Sequence, residues 1–345
     1  MLTAELIAPR EFRIVDRTLP PPAPGEVQVR VHSVGICGSD LHAATEGHVG
    51  DTPCLYPMVL GHEPSGTVEA IGNGVTGWSA GDRVALEPAL YCYHCEYCRS
   101  GHHNVCASIR FYSNPGEPGF FRERMNLPAV NLLALPEGLA LEAATLVEPL
   151  AIALHSMKIA GIRIGETTAV FGAGPIGLLT IACLKVAGSS RIFAVEPVAA
   201  RREMALRMGA DVAIDPGQTD AVRDIRASTG GRGVDCAIDC AARVHTTNLA
   251  IRAARNAGRV ALTGIHSEVL VPFDVSHMRR QELAILNVRR SNHESHDALD
   301  LLRSRIEWFA PLITHTRPLD RIAEAFRLNE HYEDGVGKLV IHAGA

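Results

Sequence analysis

Apolar and polar positions alternate with two different periods along this chain. Near the N-terminus Val27, Val29 and Val31 alternate with Gln28, Arg30 and His32, the two-residue period of a strand with one buried face. Other short runs, such as Gly66-Thr67-Val68-Glu69-Ala70-Ile71, are punctuated by Gly72-Asn73-Gly74 and Gly81-Asp82. Many short strands with turns between them predict a barrel-like β-domain over residues 1–90. From Thr167 the pattern changes to alternating strand and helix. Strand-like runs end near Phe171, Val195, Ile214, Ile238, Leu262 and Val288, with helical runs over 199–208, 221–228 and 246–256 among them. Six strands with helical crossovers predict a doubly wound parallel sheet. The tail predicts a helix over 319–328, then Gly335-Val336-Gly337, then a strand over Lys338–His342. A piece this short cannot build its own core, so it should fold back onto the N-terminal domain, with a ligand cleft between the domains.

Composition narrows the class. A chain of 345 residues, 47% hydrophobic and 21% charged, suits a folded protein of two domains. A net charge of −5 argues against a nucleic-acid surface. Met1-Leu2-Thr3-Ala4-Glu5 lacks the basic and apolar regions of a signal peptide. The apolar stretch 169–188 approaches membrane-spanning length, but its three glycines, its proline and Lys185 assign it to the strand–helix pattern. The expectation is a cytoplasmic protein with a small-molecule substrate and neither a nucleic-acid nor a membrane partner.

Gly172, Gly174 and Gly177 stand at G-x-G-x-x-G spacing after an apolar strand, and Pro175 and Ile176 lead into an apolar helix over 176–187. The missing side chains let backbone N–H groups approach a pyrophosphate at a helix N-terminus. The next strand, Arg191–Val195, ends on Glu196, placed to grip a ribose diol and to repel the 2′-phosphate of NADP, so NAD is the expected dinucleotide. Arg201, Thr263 and Gly264 complete the candidate cofactor contacts, although Arg201 and Arg202 together read as an exposed helix face.

Four of the nine cysteines, Cys92, Cys95, Cys98 and Cys106, follow C-x2-C-x2-C-x7-C in a polar loop. In a reducing compartment such clustering points to metal rather than disulfides, and four thiolates close a tetrahedral Zn2+ shell with no solvent position. His94, His102 and His103 nearby read as solvated loop residues. A second, mixed set comprises Cys37, His62, Glu63 and Glu148. A thiolate, an imidazole and carboxylates suit Zn2+ with an open position. Each residue alone also suits a structural role, and local spacing leaves open whether they converge.

Four stretches together resemble the zinc-dependent medium-chain dehydrogenases, nearly end to end: Gly35-Ile36-Cys37-Gly38-Ser39-Asp40-Leu41-His42, Gly61-His62-Glu63, the four-cysteine lobe, and Gly172-Ala173-Gly174-Pro175-Ile176-Gly177. Glu148, in Val-Glu-Pro-Leu where alcohol dehydrogenases proper have cysteine, resembles the polyol branch typified by sorbitol and xylitol dehydrogenases. The resemblance implies an α/β fold: a GroES-like β-barrel catalytic domain over 1–150 with 290–345, plus a Rossmann doubly wound parallel sheet over 151–289. It implies that Cys37 and His62 ligate a catalytic zinc and that Glu63 and Glu148 share its remaining places with water and substrate. It implies a second, structural zinc and a homo-oligomer, tetramer or dimer, with 283–288 as the sheet edge between subunits.

By the same resemblance Ser39 accepts the hydroxyl proton and passes it through the nicotinamide ribose to His42, while hydride goes to the nicotinamide. Two departures bear on the substrate. Polyol dehydrogenases often have an aromatic residue where this chain has Ala43, and family members usually place an aromatic near Arg124, in the loop 111–125. Both positions are expected on the pocket wall. Arg289 and Arg290 are candidates for contact with a polyhydroxylated or acidic substrate, or for solvated or subunit-contact roles. The expected reaction is NAD-linked oxidation of a secondary hydroxyl of a polyol, sugar or sugar acid. A threonine-type amino-alcohol dehydrogenase, a metal-free reductase and a non-catalytic NAD(H)-binding redox sensor are the competing readings.

Overall fold

The alternating valines lie on the strand Glu26–Gly35, where Val27, Val29 and Val31 are fully buried and the residues between them are not. In this computed structural model, which describes residues 1–49 and 51–344, that strand is the hub of a seven-stranded sheet. One side pairs with Glu63–Ile71, followed by Arg83–Leu86 and Leu132–Ala134; the other pairs with Arg124–Pro128 and Lys338–His342. The register sets Gly35 opposite both Glu63 and Val340, so the ends of three strands meet at one place.

Leu6, Val34, Phe120, Phe121, Leu127, Ile322, Phe326, Leu339 and Ile341 pack into one core. At roughly 1.5–3 kcal/mol for each fully buried large apolar side chain, the tail's four contributions tie it firmly to this barrel. The chain divides into two compact units, Met1–Glu148 with Ser295–Ala345, and Pro149–Glu294.

The second unit is a six-stranded parallel sheet. Its spatial order is Val212–Ile214, Arg191–Val195, Thr167–Phe171, Val234–Asp239, Ala254–Leu262, Ala284–Asn287. Numbered along the chain this is 3-2-1-4-5-6, the Rossmann order. Phe171 is in register with Val195 and with Asp239, which brings three strand ends together beside the glycine turn.

The helix expected over 246–256 spans Val244–Ala253 instead. Ala254 already pairs with Val234, so sheet pairing overrides the helical pattern at its C-terminal end. The apolar stretch 169–188 is the strand Thr167–Phe171, a turn and the helix Pro175–Val186. By length and composition Leu141–Ala160 could cross a membrane, and 72% of its apolar window is buried.

Candidate active site

Cys37 ends the turn after the Glu26–Gly35 strand and is the N-cap of the helix Gly38–Glu46. His62 and Glu63 sit where the neighbouring strand begins. Cys37, His62 and Glu63 each offer a donor atom, all within 4.8 Å of one another.

Asp40, only 1% exposed, organises this group. Its Oδ2 accepts the Cys37 N–H at 3.0 Å, and its Oδ1 accepts the Gly61 N–H at 3.1 Å and the Ser113 hydroxyl at 2.9 Å. His62 Nδ1 lies 3.3 Å from the same Oδ1, within ion-pair reach but not aligned as a hydrogen bond. Burial would push the imidazole pKa down. The charges of Asp40 and Cys37 outweigh it and hold that pKa well above 6.5, a site that favours positive charge on the ring's side.

Glu63 forms a wholly buried ion pair with Lys338. The two cross above Gly35, where a Cβ would collide with both side chains. Glu148, on the first turn of Val147–Ala160, falls outside the three-donor set but interacts electrostatically with His62, Glu63 and Lys338. Burial, the largest cause, raises its pKa to about 8; His62 and Lys338 oppose the rise and Glu63 adds to it. Among the described residues, Glu63 Oε1 and Glu148 Oε2 are buried with no hydrogen-bond partner. Buried carboxylate oxygens left in this state fit a neighbouring cation, and with a thiolate and an imidazole the donor set fits zinc. Ser39 and His42 lie on the helix that Cys37 caps, and His42 Nδ1 is 3.0 Å from Glu46.

The four-cysteine lobe is compact. Cys92 and Cys98 sulfurs are 3.9 Å apart, Cys95 and Cys106 sulfurs 4.0 Å, and all four lie within 4.8 Å of one another. Tetrahedral sulfurs around Zn2+ are separated by roughly 3.8 Å, so the lobe fits a closed shell. Backbone N–H groups of Cys92, Cys95 and Cys98 donate to sulfurs within the set. The Cys98 and Ala107 amides lower the Cys95 pKa to about 6, while burial, then the neighbouring thiols, raise that of Cys98 to about 12. The nearby histidines are engaged otherwise: His94 with the Cys92 carbonyl, His102 with Ser100, and His103 against the Tyr91 and Tyr93 rings.

In the second unit, Gly172 has φ +90 and Gly174 is the N-cap of the helix that Pro175 opens. A Cβ on Gly177 would strike the Gly172 carbonyl, so this turn requires glycine where the helix leaves the strand. Both Glu196 oxygens are taken by backbone, from Ala173 N–H at 2.7 Å and Val198 N–H at 2.9 Å, tying the glycine turn to the second strand. Thr263 and Gly264 donate their N–H groups to the Asp239 carbonyl, and Thr263 Oγ1 is 2.6 Å from Ser156.

Arg201 and Arg202 are not an exposed face. Arg201 is 8% exposed and reaches toward Gly174, and Arg202 pairs with Asp215 and donates to the Glu196 and Pro197 carbonyls. The helix lies against the sheet edge along that side, which an alternation-based reading of nine residues cannot detect. The two expected pocket-wall positions have these surroundings. Ala43 is buried in the barrel core, and Arg124 pairs with Glu69.

Residues 23–137 match the alcohol dehydrogenase GroES-like domain family and residues 175–304 the zinc-binding dehydrogenase family. Sorbitol dehydrogenase of Bacillus subtilis strain 168 is 31% identical over 96% of this chain and 94% of its own length. The chain belongs to the zinc-dependent medium-chain dehydrogenase family. Another relative, L-idonate 5-dehydrogenase of Vitis vinifera, is 33% identical over 91% of this chain and 87% of its own. An alcohol dehydrogenase from Escherichia coli CFT073, solved with NADH, superposes with a TM-score of 0.90 at 31% identity, covering 99% of both chains.

Sequence reasoning on this medium-chain dehydrogenase missed Asp40, Lys338 and Ser113. Asp40 had a readable signal, since it stands three residues after the candidate ligand Cys37, the spacing of a capping side chain. Lys338 and Ser113 had none, because only the strand register and the loop path bring them to the centre.

Proposed function

We propose that this protein oxidises a secondary hydroxyl of a polyol, sugar or sugar acid with NAD, at a zinc held by Cys37 and His62 with Glu63 or Glu148 completing the shell. The observation that carries the reading is the trio of a half-buried thiol with a buried imidazole and a buried carboxylate, edged by carboxylate oxygens that have no hydrogen-bond partner. Zinc there supplies Lewis acidity that lowers the pKa of a bound hydroxyl, and NAD accepts the hydride. The chain's own residues do the rest. Asp40 keeps the His62 ring oriented. Lys338 neutralises Glu63, so that one carboxylate can approach or leave the centre without stranding a buried charge. Ser39 takes the proton from the substrate hydroxyl and His42 carries it toward solvent, at an imidazole whose side chain is 24% exposed.

Gly172, Gly174, Pro175, Ile176 and Gly177 form the pyrophosphate seat. Glu196, with Arg201, Thr263 and Gly264, surrounds the rest of the dinucleotide, and the Glu196 carboxylate at the second strand end favours NAD over NADP. The four cysteines hold a second, structural zinc. Relatives named for sorbitol and L-idonate support the substrate class. The protein works as a homo-oligomer: Ala284–Asn287 is an edge strand, and Val269, Leu270 and Val275 on the preceding segment are strongly exposed.

The test is a dehydrogenase assay with NAD and NADP over polyols, aldonates and L-threonine, before and after chelation. Turnover of polyols or aldonates that falls on chelation supports the reading. Preference for L-threonine, turnover indifferent to chelation, or NAD(H) binding without any turnover would each replace it. Light scattering of the purified protein decides the assembly.

A further inference from the structure

We propose that Ser113 is a positioning residue for the metal centre: its hydroxyl locks the Asp40 carboxylate that orients His62, making the 111–117 loop and the metal ligand one mechanical unit. The inference rests on the reading of Cys37 and His62 as zinc ligands.

Asp40 Oδ1 is shared by three neighbours: the Ser113 hydroxyl at 2.9 Å, the Gly61 amide at 3.1 Å and His62 Nδ1 at 3.3 Å. The hydroxyl is the closest of the three and the only one that comes from outside the segments carrying Cys37 and His62. Without it, one oxygen of a carboxylate that is 1% exposed loses its nearest donor, and solvent has little access to replace it. The carboxylate then gains freedom to turn, and the imidazole it orients turns with it.

The backbone at Ser113 points the same way. Its φ is +77, the left-handed region that strains a side-chain-bearing residue. Glycine would sit there without that cost but would carry no hydroxyl. The strained conformation is held by the Ser113 N–H to the Glu117 carbonyl at 2.9 Å, the Glu117 N–H to the Asn114 carbonyl at 2.9 Å, and an Arg110–Glu117 ion pair at 2.6 Å. At the start of the same loop the Phe111 ring packs 5.3 Å from the His62 ring. The loop therefore meets the imidazole twice, directly through Phe111 and through Asp40 by way of Ser113.

The test uses full-length enzyme carrying Ser113→Ala, Ser113→Gly, Asp40→Asn and the Asp40→Asn/Ser113→Ala pair. Each is loaded with Zn2+ or Co2+ and read by chelator competition and by the visible Co2+ spectrum, alongside the melting temperature. Direct partners of metal ligands typically change affinity 10–100-fold, so one step further out about three- to tenfold weaker retention at the open site is expected for Ser113→Ala, with shifted Co2+ bands. Ser113→Gly should lose metal equally while melting higher than Ser113→Ala, because the backbone cost is relieved. In the Asp40→Asn background Ser113→Ala should add little, since its effect runs through that carboxylate. Parent-like retention and spectrum in both single Ser113 variants would overturn the proposal whatever the melting temperature. If Cys37→Ser leaves the open-site spectrum unchanged, the reading of the centre itself fails; if Cys37→Ser abolishes it while the Ser113 variants keep it, only the role of Ser113 fails.

Discussion

The four-cysteine lobe and the Cys37–His62–Glu63 centre each gather donors within 4.8 Å, yet they are built in opposite ways. The lobe draws all its donors from fifteen consecutive residues, and its sulfurs are answered by the loop's own backbone N–H groups. The centre draws on the turn after one strand and the start of another, with Lys338 from the C-terminal strand and Glu148 from a helix beside them. It must keep carboxylate oxygens without partners in a buried place, and it pays for this with the Lys338 pair and the Asp40 network. On the function proposed above, the closed site stabilises a loop, and the open one has to be held open against its own electrostatics.

The sharpest way to break the comparison is Cys37→Ser. Turnover should fall by roughly 10^3-fold or more, because a catalytic metal supplies several kcal/mol of transition-state stabilisation. Zinc content should drop from about two to about one per chain while far-UV circular dichroism stays at the parent's. One equivalent in both proteins would remove the open site from the picture.

Lys338→Met should destabilise the fold by about 3–5 kcal/mol in urea titrations, the cost of leaving Glu63 as an uncompensated buried charge. Adding Glu63→Gln should recover much of it; equal losses in single and double variants would show that the two charges are not coupled.

Cys98→Ser should lower global stability by a smaller amount, roughly 1–3 kcal/mol, and open the 90–107 loop to proteolysis. KM for the hydroxyl substrate should hardly move. A large change in KM would mean that the lobe is not the separate, closed device described above.

The last test is a pH slope. The folded chain holds the Glu148 proton up to about 8, whereas the unfolded chain releases it near 4.5. Between those values the folded state binds more protons, so metal-depleted protein should lose stability as pH rises across that window. Glu148→Gln should flatten the slope in parallel urea melts at several pH values. With the lobe equally depleted in both proteins, identical slopes would place Glu148 outside the centre's electrostatics.

Legibility followed the distance over which each feature is encoded. The glycine turn, the Arg191–Val195 strand and the C-terminal strand Lys338–His342 stand where the sequence pattern predicts them, since each is written in consecutive residues. The helix near residue 250 ran too far in the prediction because the pairing of Ala254 with Val234 is a long-range event. Arg201 was misplaced for the same reason: its burial depends on neighbours from elsewhere in the sheet unit.

The sequence by itself determined which donor types this chain possesses, the close spacing of its four cysteines, the strand–glycine–helix unit and the six-strand count. Only the tertiary structure decided that Glu63 rather than Glu148 joins Cys37 and His62 within donor reach, that Lys338 lies beside it, and that one carboxylate, Asp40, gathers Cys37, Gly61, His62 and Ser113. The physical reason is that periodicity and spacing report a chain's local conformational preferences, whereas charges buried together are selected by strand register and by the absence of water to answer them.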